Sequence, residues 1–448
     1  MSKVKICLIG AGSGCFSLTI IRDICLTPNL EGSTIIFMDI NKERLDASYS
    51  LCSRLADEMG INLTLEKTMD RHEALKGADF VINTALTAPH ERLREGWEIA
   101  KKHGYNFGGS YHIMYDEAFW INFFQLRFFE SLTKDIMEIC PQAWHLMVAN
   151  PVLAGVTYIR RKYPESKLVG LCHGYNAVYD VAEILGFEKE HITFEVPGVN
   201  HFVFLSEFYY KGENAFPILD RWIEEKSEEY WKTNTYDALN PKLVDIYKRF
   251  GVLPIGDTAS WSGASWPWWY HSDSEIEKRW AQEPEKGWNG YFDGVAENAK
   301  RINEFAENSK LKVTDEFKPE HSRDPMITVL ESLACDIPRV IITNVQNTDE
   351  YVWGIPRDFE VEIPTLVSKK GIQGIKTNRL PRNVIAHTLR DRVAPVELEL
   401  EAYEKGSREL LVQLVLTDKW TKSEKQANEL IDDIFALPYH EEMRNHYK

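Results

Sequence analysis

The sequence predicts an α/β protein, with a doubly wound, mostly parallel sheet over residues 1–195 and a mixed α+β domain over residues 196–448. Three observations carry this prediction. An apolar run at 4–9 breaks directly into Gly10-Ala11-Gly12-Ser13-Gly14-Cys15, and an amphipathic stretch then runs from Ser17 to Cys25: strand, glycine-rich turn, helix. Strand-like and helical patterns then alternate to about residue 190, as in a doubly wound sheet. Finally, 448 residues exceed one ordinary core, and 44% hydrophobic content with 12% aromatics is enough to fill two.

The first loop is the anchor. Gly10 permits the tight turn, Gly12 lets the backbone approach a pyrophosphate, and the helix start offers N–H groups and a positive dipole end. The third fingerprint glycine is replaced by Cys15, so the loop alone is also compatible with a plain strand–turn–helix. Asp39 strengthens the dinucleotide reading, because it ends the next strand, 34–38, where an acid accepts ribose hydroxyls. Its charge favours NAD over NADP, although Asn41 and Lys42 beside it leave that preference open.

A helix is expected at 42–59, strands at 61–65 and 80–84, and a helix at 89–102. Residues 104–115, rich in glycine and polar aromatics, read as a substrate-facing loop before a long helix at 116–140. Strands at 144–148 and 168–171, joined by a helix through Lys162, complete the first half. In the second half, strands are expected at 192–196, 202–209, 339–344, 360–363 and 365–368. Helices are expected at 215–226, 241–250, 290–308, 325–335, 384–404 and 423–436.

Composition excludes several classes. With 52 basic and 68 acidic residues the net charge is −16, which repels phosphate backbones and anionic membrane surfaces; neither nucleic acid nor a membrane is an expected partner. No apolar run reaches the roughly 18 residues of a membrane span, and the N-terminal run is too short for a signal peptide. The seven scattered cysteines argue for reduced thiols, so the chain reads as cytoplasmic.

Chemistry concentrates where strands end. Cys172-His173 follows the strand 168–171, where a bound nicotinamide would lie, and Asn200-His201 follows the strand and turn 192–199. A thiolate and an imidazole from two segment ends can hold a metal with positions open for substrate; equally, Cys172 reads as a buried thiol and His201 as a satisfied core histidine. Asn150 before Pro151 suits either a sugar hydroxyl or a turn. Asp257, in an apolar approach to a Gly-Asp turn, suits either a general base or a turn cap. Trp261, Trp266, Trp268 and Trp269 suit sugar stacking, packing or a subunit contact.

Taken together, the GAGS loop, Asn150-Pro151, Cys172-His173-Gly174 and Asn200-His201 resemble the family 4 glycoside hydrolases, and the resemblance covers essentially the whole chain, including Asn344 to Asn347. The CHG tripeptide resembles the α-glucuronidase subgroup, which acts on small glucuronides. The resemblance implies a Rossmann-type nucleotide domain, NAD, and a divalent metal, most simply Mn²⁺. It also implies cleavage by oxidation at the sugar 3-position, proton removal at the 2-position, elimination, water addition and re-reduction.

Carried over by position, Cys172 and His201 match the metal ligands and Asp257 the base; Gly10, Gly12, Ser13 and Asp39 match the cofactor site, and Asn150 and Asn200 the substrate contacts. His173 stands where members acting on phosphorylated sugars have an acid, which makes it a candidate proton donor or substrate contact. Residues 108–117 depart from the glycine-rich loop of many members, leaving Tyr111, His112 and Asp116 as further candidates for proton transfer. A homodimer or homotetramer is implied. The competing expectations are another α-glycosidase of this family (α-galacturonidase, α-glucosidase or α-galactosidase), an NAD-dependent 2-hydroxy acid dehydrogenase, and a nucleotide-sensing protein with a vestigial site.

Overall fold

Six short segments, all but the third largely apolar, form the parallel part of the sheet in a computed structural model that describes residues 3–105, 112–114, 117–259 and 266–448. They are β1 (Lys5–Ile9), β2 (Thr34–Met38), β3 (Thr64–Thr68), β4 (Phe80–Asn83), β5 (Trp144–Met147) and β6 (Leu168–Gly170). Their spatial order is β3-β2-β1-β4-β5-β6, all parallel, so the chain reverses direction across the sheet between β1 and β4. Ligands bind at that kind of crevice, outside the carboxyl ends of the strands. The strand expected at 61–65 lies three residues later, as β3. It is an edge strand with little burial, and alternation cannot set register where neither face is covered.

The sheet continues through the second half. Its further strands are β7 (Ile192–Glu195), β8 (Gly198–Val199), β9 (Phe202–Leu205), β10 (Glu207–Tyr210), β11 (Glu213–Asn214) and β12 (Leu253–Ile255). The last three are β13 (Arg339–Gln346), β14 (Glu360–Ser368) and β15 (Gly371–Gly374). Antiparallel β13 pairs with β6, and the order runs on through β14, β8, β9 and β12, giving a twelve-stranded sheet with β15 on β14. The single strand expected at 202–209 is two strands. It breaks at Ser206, which sends β9 into the large sheet and β10 into a three-stranded sheet with β7 and β11. Conversely, the two strands expected around Pro364 are one. Pro364 falls where the far edge of β14 passes from β15 to β8, and a missing N–H is tolerated there.

Helices cover both faces. Helix Gly14–Cys25 packs Leu18 and Ile21 with Ile302 of helix Pro284–Glu307 and with Val329 and Leu330 of helix Met326–Cys335. Gly14 is the contact point: a Cβ there would lie 2.6 Å from Ile302 Cγ2. The helix expected at 384–404 is interrupted by a π turn, Leu389–Val393, between Arg382–Thr388 and Ala394–Lys405. Pro395 supplies the cause, since it has no N–H and its ring would clash with the Asp391 carbonyl four residues earlier. The Arg392 guanidinium donates to that carbonyl at 3.2 Å. Among the described residues no helix is long and apolar enough to cross a membrane.

Candidate active site

At the carboxyl end of β1, Gly10 has φ +88, a conformation a side chain would strain, and a Cβ there would sit 2.6 Å from the Ala85 backbone. The Gly12 N–H donates to Asp39 Oδ2 at 2.8 Å, and the Asn41 N–H donates to Oδ1 at 2.8 Å, so the loop is closed onto the acid at the end of β2. A Cβ on Gly12 would lie 2.7 Å from that carboxylate. Ser13 caps helix Gly14–Cys25 by backbone geometry alone, and its hydroxyl makes no capping bond. Gly10, Gly12, Ser13 and Asp39 are thus together at one helix N-terminus, a cradle whose shape and donors suit a pyrophosphate and a ribose.

The second group is assembled by sheet register. Gly170, Asn344, Glu362 and Gly198 pair in one row across β6, β13, β14 and β8. Cys172 lies two residues beyond one end of that row, and Asn200 two residues beyond the other. Asn200-His201 is the two-residue turn between β8 and β9, with His201 at φ 57, where Gly or Asn is the usual occupant. β12 pairs with β9 so that Ile255 faces Val203; two residues further on, the same register carries Asp257 opposite His201. The approach of the third loop depends on glycine, since a Cβ on Gly256 (φ +58) would lie 2.5 Å from the Gly174 carbonyl. As a result one ligand atom each of Cys172, His201 and Asp257 lies within 4.8 Å of the others, a separation that lets all three reach one ion. His201 Nε2 is 3.7 Å from Asp257 Oδ2.

Buried carboxylates stand behind this group. Glu117 Oε1 is 2.9 Å from His201 Nδ1, which orients the ring and leaves Nε2 toward Cys172 and Asp257. Asn200 donates its N–H to Glu360 Oε2 and its amide to Glu362 Oε2, both at 3.0 Å. With its amide oriented to satisfy both ends, Asn344 donates to Glu360 Oε1 at 2.7 Å. Burial, then the nearby Glu362, pushes the Cys172 thiol up. Burial opposes charge on His201, but Cys172, Glu117 and Asp257 outweigh it and hold the imidazole well above its ordinary value. Burial raises Glu362 to about 7 and also pushes Glu360 well above the usual carboxylate range. Glu117 is also desolvated, yet His201, Arg392 and His112 hold it below the usual range. The site therefore disfavours the ionised forms of its thiol and of Glu360 and Glu362, and a cation bound there would offset the charge of those forms.

The other expected residues are placed as follows. His173 projects outward, 63% exposed, with Nδ1 2.9 Å from Asp324 Oδ1. Asn150 is half-buried at the end of β5, before a cis peptide bond to Pro151. The expected substrate contact by Asn200 is corrected: it is 0% exposed, and its amide is committed to the β14 carboxylates, so it braces the His201 turn from behind. Of the readings open for the tryptophans, packing holds at Trp266, whose ring centroid lies 4.6 Å from that of Phe202, and only Trp268 among the described members is exposed. Tyr111, Asp116 and Trp261 lie outside the described residues. Sequence reasoning missed Glu117, Asp324, Glu360 and Glu362 as partners of the site. The available signal was two acids, Glu360 and Glu362, alternating with valine and isoleucine in a strand of buried type.

The model of Family 4 glycosyl hydrolase matches residues 5–187, and that of Family 4 glycosyl hydrolase C-terminal domain matches residues 196–421. The chain is 25% identical to Alpha-galactosidase of Bacillus subtilis (strain 168), over 96% of this chain and 97% of that one. It is 24% identical to Alpha-galacturonidase of Lachnoclostridium phytofermentans, over 97% and 96%. In fold it is similar to a 6-phospho-alpha-glucosidase from gut microorganisms solved with NAD and Mn²⁺, at TM-score 0.81 and 18% identity over 98% of both chains. With the two family models together spanning most of its length, the chain belongs to the family 4 glycosyl hydrolases.

Proposed function

We propose that this chain hydrolyses small α-glucuronides, with NAD in the Gly10–Asp39 cradle and a divalent cation, Mn²⁺, at Cys172 and His201. The observation that carries the reading is the convergence of Cys172, His201 and Asp257 within 4.8 Å at the same strand ends as the nucleotide loop. When bound, NAD supplies reversible hydride transfer at the sugar 3-position, and the metal supplies Lewis acidity for charge built up beside it. The protein's own part is positional and protonic. Gly12, Ser13 and Asp39 hold phosphate and ribose, while Glu117 fixes the His201 ring. Asp257, its carboxylate 30% exposed, takes the proton from the sugar 2-position. His173, fixed through Nδ1 by Asp324, gives a proton to the leaving oxygen, and Asn150 contacts the sugar. A relative named Alpha-galacturonidase supports uronides as the substrate class and makes α-galacturonides the alternative.

The test is a panel of aryl α- and β-glycosides (glucuronide, galacturonide, glucoside, galactoside and 6-phosphoglucoside) assayed with NAD and Mn²⁺ in deuterated water. The expected result is hydrolysis of the α-glucuronide, deuterium at the product 2-position and no net NADH. NADH formed in proportion to substrate, or full activity after exhaustive chelation, would overturn the reading.

A further inference from the structure

The nucleotide cradle carries a cation as well as an acid. Asp39 and Arg44 flank the same glycine: a Cβ built on Gly12 would lie 2.7 Å from Asp39 Oδ2 and 3.1 Å from Arg44 Cβ. Arg44 stands in the first turn of helix Lys42–Met59, where its backbone N–H donates to Asn41 Oδ1 at 3.0 Å. Its side chain lies back along the loop, with Nε donating to the Gly12 carbonyl at 3.3 Å. The residue is exposed, and among the described residues it forms no ion pair and no hydrogen bond through Nη1 or Nη2. Asp39 is fixed differently, since each of its oxygens accepts a backbone N–H at 2.8 Å, from Gly12 and from Asn41. The other charges of this turn are Lys42, paired with Asp46 at 2.6 Å, and the exposed Glu43. Arg44 is therefore the cation of the turn that no described acid pairs with.

An acid at the end of the second strand accepts the ribose 2′-hydroxyl and selects NAD, whereas an arginine nearby accommodates a 2′-phosphate. This cradle holds both. We propose that Arg44 makes it a site for NADP as well as NAD, with the guanidinium pairing with the 2′-phosphate beside Asp39. The two terminal nitrogens of a guanidinium are parallel, charge-assisted donors that match a phosphate. A carboxylate with no cation near it would repel that phosphate; here two N–H donors hold Asp39 and a positive charge lies at the same glycine, so the repulsion is offset. In a chain of net charge −16 an added anion needs such a local cation. Arg44 is then a specificity-determining residue, and removing its charge restores the strict preference for NAD that Asp39 imposes by itself. The proposal concerns the cofactor and does not depend on which sugar is cleaved.

The experiment is calorimetry of NAD and of NADP, each without sugar, on the parent chain and on Arg44→Gln at equal ionic strength. The parent should bind NADP within about tenfold of NAD. The variant should widen that gap at least about tenfold while its NAD affinity stays within about threefold. Parent affinity for NADP more than about tenfold below that for NAD overturns the proposal, and so does a gap that widens less in the variant. An equal loss of both cofactors in Arg44→Gln also overturns it, because Arg44 would then serve the shared diphosphate or the loop itself. An exposed position tolerates the change to Gln; should the variant fail to fold, the parent ratio decides. Hydrolysis is not read, so failure here leaves the sugar assignment untouched, and failure of the glycoside panel leaves these affinities to stand by themselves.

Discussion

In the nucleotide loop the groups offered to a ligand are backbone N–H donors on one continuous strand–turn–helix, closed by a single acid, Asp39. In the Cys172 group they are side chains from three loops far apart in the chain, underlain by Glu117, Glu360 and Glu362. The two sit at strand ends of one sheet but rest on different physics. Backbone donors are free of titration and need only glycine to be reached, which is why Gly10 and Gly12 matter through the volume they do not fill. Buried acids and a thiol are costly to ionise together, so the second region either keeps their protons or offsets their charge with a cation.

The contrast is broken or sharpened most strongly at Cys172. Cys172→Ser should lower turnover by roughly a thousandfold and remove high-affinity Mn²⁺ binding, read by paramagnetic resonance, while NAD affinity stays within about twofold. A parallel loss of NAD binding would show the two regions to be one unit. The next effect is on stability and tests what an unpaired buried acid costs. Glu277 is pushed up to about 7, by burial first and then by Asp273 and Glu283. Its folded-state pKa is above its unfolded value, so the stability it contributes is present below about pH 4.5 and is lost as pH rises toward 7. Glu277→Gln should abolish that slope and gain about 3 kcal/mol at pH 8, measured by urea unfolding across pH. An unchanged slope would mean the carboxylate is not the cause. The smallest effect belongs to the backbone region. A methyl at position 12 meets Asp39 Oδ2 at 2.7 Å, so Gly12→Ala should weaken NAD binding about tenfold, seen by calorimetry, with Mn²⁺ binding retained.

The two regions also differ in how far they could be read before any coordinates. Gly10, Gly12 and Asp39 announce themselves because strand, turn and helix are contiguous and each requirement falls on a nearby residue. The strand expected at 202–209 failed at Ser206 for the opposite reason, since alternation records which face is buried but not which sheet does the burying. Asn200 is expected as a substrate contact through family resemblance, and only the pairing of β14 with β8 turns it inward to Glu360 and Glu362.

What the amino-acid order alone determined is local: a doubly wound nucleotide half, an acid at the end of β2, and, through family resemblance, the pairing of Cys172 with His201. The tertiary structure decided the rest, because it depends on register between strands remote in the chain. It set Asp257 opposite His201 by extending the β9–β12 ladder, put Glu117 on the imidazole, and turned Asn200 in to Glu360 and Glu362. Contacts of that kind arise from distances across a sheet, and no window along the sequence contains them.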